Sequence, residues 1–231
     1  MPQTLLCVLL ALAACAPVPR SHSTIRGDDS GFLGALSFSH QLSESTVEES
    51  TYGIRLELEG MGGNITQNIP ADRTVQLDDV VLTGPGELDL DFNYRSATLG
   101  FYMGKTMGPW KLEGLVGLAH SNLHARGRLG GLTDSADLES TALHLSGDAS
   151  YRFGSSTEVY YRLGGMPLVE RGEATIFQTQ LGGRWKINQT LTISAGMQSW
   201  NYLRKRRGGS SGPSGMDLTL SGPFLRLGFL F

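Results

Sequence analysis

Along most of the chain apolar and polar residues alternate singly, with little trace of the longer period of a helix. Successive side chains of a strand point to opposite faces, so this alternation predicts strands with one apolar face. Residues 51–60 set Tyr52, Ile54, Leu56 and Leu58 against Arg55, Glu57 and Glu59. Residues 87–104 begin with Leu88, Leu90, Phe92 and Tyr94 against Asp89, Asp91, Asn93 and Arg95; the phase then slips near Ser96, as a bulge would allow. Residues 110–123 oppose Trp110, Leu112, Val116 and Leu118 to Lys111, Glu113 and Ser121. Residues 138–153 oppose Leu143, Leu145, Ala149, Tyr151 and Phe153 to His144, Ser146, Asp148 and Arg152. Segments at 157–168, 174–187, 190–204 and 216–231 bring the expected strands to eight.

The connections sort by length. Residues 105–108, 154–156 and 188–189 suit tight turns, whereas 61–86, 124–137, 167–173 and 205–215 are longer and more polar. Short turns on one side and long loops on the other predict an all-β fold, a closed antiparallel up-and-down transmembrane barrel. The charged faces then point inward. Eight strands leave room only for side chains, so Arg55, Glu57, Asp91, Glu113, Arg152, Arg162 and Arg184 are expected to form a paired plug without an open pore. Tyr52, Tyr102, Trp110, Tyr151, Phe153, Trp185, Phe229 and Phe231 gather near the short turns, where an interfacial girdle is expected.

Composition adds limits more than direction. The 40% hydrophobic content is ordinary, a net charge of −3 implies no nucleic-acid partner, and 31 glycines suit curved strands better than helices. The first fifteen residues have an apolar run too short to span a bilayer as a helix and are expected to be an export signal. Leu12-Ala13-Ala14-Cys15 resembles the bacterial lipoprotein cleavage box, which implies acyl chains on Cys15; an ordinary signal peptide cut nearby is the alternative. Cys7 leaves with the signal in either case, so neither an internal disulfide nor a cysteine metal site is expected. Residues 16–49 are expected to be a periplasmic tether and N-terminal segment, and 50–231 the barrel.

The chain ends in LSGPFLRLGFLF, with Leu225, Leu227, Phe229 and Phe231 on one face and Arg226 and Gly228 on the other. This terminus, with the strand pattern before it, resembles the small eight-stranded outer-membrane barrels of the OmpA transmembrane-domain and OmpX type. The resemblance implies that Leu225, Leu227, Phe229 and Phe231 are read by the outer-membrane insertion machinery. It also implies location in the bacterial outer membrane among lipid and lipopolysaccharide. Residues 31–42 are strand-like too. An even count keeps both chain ends periplasmic, so this segment is expected outside the wall, or else paired with residues 73–83 in a ten-stranded barrel.

Candidate chemistry is sparse. His144 and Ser146 have the His-x-Ser spacing of outer-membrane lipid hydrolases, in which His activates Ser for acyl attack. They share the polar face of their segment and are expected to face the interior, away from lipid. His120 and His124 lie about 13 Å apart on a strand, too far to share a metal ion. Asp78, Asp79, Asp89 and Asp91 could hold a hard cation but read more simply as solvated acids. Arg204, Lys205, Arg206 and Arg207 open a long loop and could contact lipopolysaccharide phosphates. The expectation is a non-enzymatic barrel with a structural or surface-interaction role and no cofactor. A lipid-modifying enzyme is one alternative. A soluble periplasmic lipoprotein binding an apolar ligand is the other, and it requires an apolar interior.

Overall fold

The computed structural model describes residues 24–26, 32–45, 50–72, 74–76, 80–169, 174–205 and 215–231, and every regular element among them is a strand. They are β1 (Thr24–Arg26), β2 (Phe32–Ser45), β3 (Ser50–Ile69), β4 (Thr74–Gln76), β5 (Val81–Thr83), β6 (Gly86–Met107), β7 (Trp110–Leu129), β8 (Leu132–Arg152), β9 (Thr157–Val169), β10 (Ala174–Lys186), β11 (Leu191–Lys205) and β12 (Gly215–Leu230). Nine of them, β2-β3-β6-β7-β8-β9-β10-β11-β12, form a ring in which neighbours are antiparallel. The ring closes through a parallel seam that sets Phe224–Leu230 beside Leu33–Ser39. The last residue completes it: Phe231 N–H donates to Ser39 O at 2.9 Å, and Gln41 N–H donates to Phe231 O at 3.2 Å. Phe38 and Phe229 stack across the seam at 5.3 Å.

The barrel therefore has nine strands rather than eight, and it is not wholly antiparallel. Phe32–Ser45 stands in the wall, between β3 and β12. An odd ring needs one parallel pair, and parallel pairing also satisfies backbone donors and acceptors, so closure does not demand an even count. The ten-stranded alternative fails for a different reason. β4 and β5 pair with each other as a separate hairpin outside the ring. β1 runs parallel to β12 beside Asp217–Thr219, along the line of the seam.

Two expected loops are strand. β3 runs on to Ile69, and β7 and β8 continue to a two-residue turn at Gly130-Gly131. The φ angles there are 56° and 85°, the left-handed pair of a type I′ hairpin, which glycine adopts without strain. Nor is there a bulge at Ser96. β6 keeps unbroken register from Gly86 to Met107 against β3 and from Leu88 to Met107 against β7. What changes near Ser96 is which face is apolar.

That change divides the barrel into two regions. In the proximal region, towards the end where β12 finishes, outward positions are mainly apolar on all nine strands, with His40 on β2 and Lys105 on β6 as polar exceptions. β6 presents Leu99, Phe101 and Met103 there, 58–64% exposed, and β7 presents Val116 and Leu118. Phe32, Ile54, Leu143, Tyr161, Leu181, Met197 and Leu225 continue the band around the ring. In the distal region, on β3, β6, β7 and β8, outward positions carry Asn64, Thr66, Asp89, Asp91, His120, His124, Arg126, Arg128, Asp137 and Glu139. Inward positions do the reverse. Ile65, Leu88, Leu90, Phe92, Tyr94, Leu123 and Leu129 are buried in one cluster with Trp200, Tyr202 and Phe224, and the β4–β5 hairpin adds Val75 and Leu82. Asp91 therefore faces outward and belongs to no plug; it accepts from Asn64 Nδ2 at 2.8 Å.

At two places the backbones of adjacent strands approach very closely. Gly100 faces Gly117 and Gly182 faces Gly196 across adjacent strands, pairs nearly opposite one another in the ring. A Cβ on Gly117 would lie 2.3 Å from Leu99 O, and one on Gly196 would lie 2.1 Å from Leu181 O. Only a residue without a side chain permits so close an approach.

Candidate functional site

The proximal interior is built by the strand period alone. Inward positions of β3 are Arg55, Glu57 and Glu59, those of β7 are Lys111 and Glu113, and those of β8 are His144, Ser146, Asp148, Ser150 and Arg152. β9 contributes Glu158, Tyr160 and Arg162, β10 Arg184 and Lys186, and β12 Arg226. Charges brought this close in a confined interior must pair, and most do.

Glu57, 3% exposed, is the hub. Arg162 donates to both its oxygens, Nη1 to Oε1 at 3.0 Å and Nη2 to Oε2 at 2.6 Å, the fork geometry that favours arginine over lysine. Arg226 donates to Glu59 Oε1 at 2.6 Å and lies 3.9 Å from Glu57. Arg55 pairs with Glu113, donates through Nε to Ser39 Oγ at 2.8 Å, and lies over the Tyr102 ring at 4.4 Å. Lys111 Nζ is 2.9 Å from the other oxygen of Glu113. Arg184 donates to Glu158 at 2.5 Å and Asp148 at 2.8 Å while its guanidinium covers Tyr160 at 4.4 Å. These links cross from β3 to β7, β9 and β12 and from β10 to β8 and β9, so the network braces the wall from within.

Beside this network, open at the proximal end, lies a cavity of about 330 Å³ lined by Ser39, Thr51, Arg55, Lys111, Glu113, Arg152, Glu158, Arg184, Lys186, Ser194 and Arg226, among others. Turn residues Ser155, Ser156 and Gln189 form part of its rim. Above the network a middle tier holds Gln178, which donates to Gln198 at 3.2 Å. Among the described residues, His144 Nε2 and both amide atoms of Gln180 in that tier have no hydrogen-bond partner.

Arg55, Glu57, Glu113, Arg152, Arg162 and Arg184 all face inward, as expected. The network also recruits Glu59, Lys111, Asp148, Glu158 and Arg226, which alternation alone could have added, since each shares an inward face with a recognised member or opposes the apolar one. Lys186 joins them on the cavity wall. Tyr102 is not part of an outer girdle; it is buried under Arg55. The other aromatic residues remain outside, where Tyr151 packs edge-on against Trp110 and Phe153, with centroids 5.0 Å away in each pair.

His144 and Ser146 face the interior and are buried, and no hydrogen bond joins them among the described residues. Ser146 Oγ accepts from Arg162 Nη2 at 3.2 Å. His120 and His124 go to separate carboxylates on the distal exterior, Glu139 at 3.5 Å and Asp137 at 2.5 Å. Asp89 accepts from Thr66 at 3.0 Å. Leu225, Leu227, Phe229 and Phe231 all lie on the outward face of β12 and its end. Cys15, Asp78, Asp79, Arg206 and Arg207 lie outside the described residues, as do the side chains of Arg204 and Lys205 at the end of β11. No protein-family model matches the chain, and neither a curated protein nor a solved structure matches it.

Proposed function

We propose that the protein is a bacterial outer-membrane barrel with a structural or surface-interaction role and no enzymatic one. The observation that carries this reading is the apolar outward band on all nine strands, combined with ion pairs inside it. Water would favour the opposite arrangement, since exposed leucine, phenylalanine and methionine gain nothing there and buried charges cost several kcal/mol each before pairing. A bilayer favours the band. A tilted strand crosses the hydrocarbon with about 9–11 residues, and on β6 the outward positions Ala97, Leu99, Phe101 and Met103 are apolar, with Lys105 following towards the proximal turn. Ring closure leaves no strand edge for lipid to meet.

The rest of β6 to β8 projects beyond the band as a polar-faced, solidly filled extension, the surface best suited to contact partners. The distal interior is occupied by its own side chains, which disfavours an apolar ligand. The burial of His144 and Ser146, with Ser146 held by Arg162, disfavours lipid hydrolysis. Contact of Arg204, Lys205, Arg206 and Arg207 with lipopolysaccharide phosphates, reading of the terminal strand by the insertion machinery and lipidation at Cys15 belong to the same proposal. The reading predicts that the protein stays in the membrane pellet after alkaline wash. It also predicts that unboiled samples in mild SDS migrate faster than boiled ones. Release by alkaline wash would overturn it.

A further inference from the structure

The proximal cavity holds more positive charge than its own carboxylates use. Seven cationic side chains line it, and five carboxylates, Glu57, Glu59, Glu113, Asp148 and Glu158, are placed to pair with them. The two in excess are Arg152 and Lys186, both exposed and neither in an ion pair among the described residues. Arg152 sits opposite Glu158 in register, but that carboxylate is already engaged by Arg184 at 2.5 Å and by Ser150 Oγ at 3.3 Å. Lys186 lies two residues from Arg184 on the same face of β10. Its backbone N–H donates to Ser156 O at 2.7 Å, which fixes the root of the side chain at the rim.

Ser155, Ser156 and Thr157 line the same wall and carry hydroxyl groups. The mouth thus offers a guanidinium, an ammonium and hydroxyl donors around an open space, with the nearest carboxylate already satisfied. A cavity of about 330 Å³ falls at the lower end of the range for small-molecule sites.

We propose that this mouth binds a phosphorylated small molecule, its phosphate held between Arg152 and Lys186 with the hydroxyls completing the contacts. A phosphate presents several acceptor oxygens and no obligatory donor, matching a site whose free groups donate. A neutral sugar has no charge to offer the two cations.

The test uses the full chain folded in detergent micelles in phosphate-free buffer, titrated calorimetrically with pyrophosphate, glucose 6-phosphate, glucose and citrate. Saturable binding of the two phosphate compounds, none of glucose and weaker binding of citrate are expected. Arg152→Gln and Lys186→Gln should each weaken pyrophosphate binding about tenfold, the loss of one charge-assisted contact, while the heat-dependent gel shift stays intact. Arg126→Gln, on the distal exterior, should leave affinity unchanged. Absence of saturable binding, or equal affinity in the folded Arg152→Gln, Lys186→Gln double variant, would overturn the site. Citrate binding as tightly as pyrophosphate would overturn the phosphate assignment. Retention of the gel shift separates either failure from a failure of the barrel reading.

Discussion

The proximal and distal regions share strands β3, β6, β7 and β8, yet each is the other turned inside out. On β6, Leu90 and Leu99 both belong to apolar runs, but Leu90 is fully buried inside and Leu99 is 58% exposed outside. Register does not slip between them. A strand's geometry fixes only which positions face in or out, whereas the medium on each side selects the residues. The distal extension is composed as a small soluble protein is, apolar within and polar without. The proximal region reverses this, with an apolar outer face and an interior braced by ion pairs.

The comparison can be broken from either side. The largest effect is expected at Glu57, because Glu57→Ala leaves the buried Arg162 without the carboxylate it grips through both nitrogens. It should lower stability in lipid vesicles by about 3–5 kcal/mol, read from urea unfolding, and converting Glu57 and Arg162 together to methionine should recover most of that. Leu90→Ala leaves a cavity in the filled distal core and should cost about 2–5 kcal/mol in the same assay. Two outward substitutions on one strand sharpen the contrast further. Leu99→Arg should cost about 2–4 kcal/mol in a bilayer, whereas Asn93→Arg, on the same face in the distal region, should stay within about 0.5 kcal/mol. The smallest effect is a gain: Gln180→Met removes a buried amide without partners and should stabilise by about 1 kcal/mol.

Much of the proximal region was legible because alternation is a one-dimensional signal of a two-sided wall. Arg55, Glu57 and Arg162 could be assigned inward from parity alone, and the outward face of Leu225 to Phe231 likewise. Long-range closure was not legible. Phe32–Ser45 alternates well enough, but nothing local in its sequence records that its partner is β12 or that the pairing is parallel. The swap near Ser96 resembled a bulge because an exchange of the apolar face and a change of register leave the same mark on hydropathy. Only the unbroken pairing of β6 with β3 and β7 separates the two. The glycine turn at Gly130-Gly131 was hidden by polar flanks, since a strand whose outward residues are polar, such as His124 and Asp137, looks like loop in sequence.

The three tryptophans test the central claim most directly: Trp110 and Trp185 face outward in the proximal band, and Trp200 is 1% exposed inside. Single-tryptophan variants would be folded into vesicles containing lipids brominated near the headgroup end of the chains, and their fluorescence quenching compared. The account predicts strong quenching at positions 110 and 185 and little at 200. Equal quenching at all three positions, or none at 110 and 185, would contradict it.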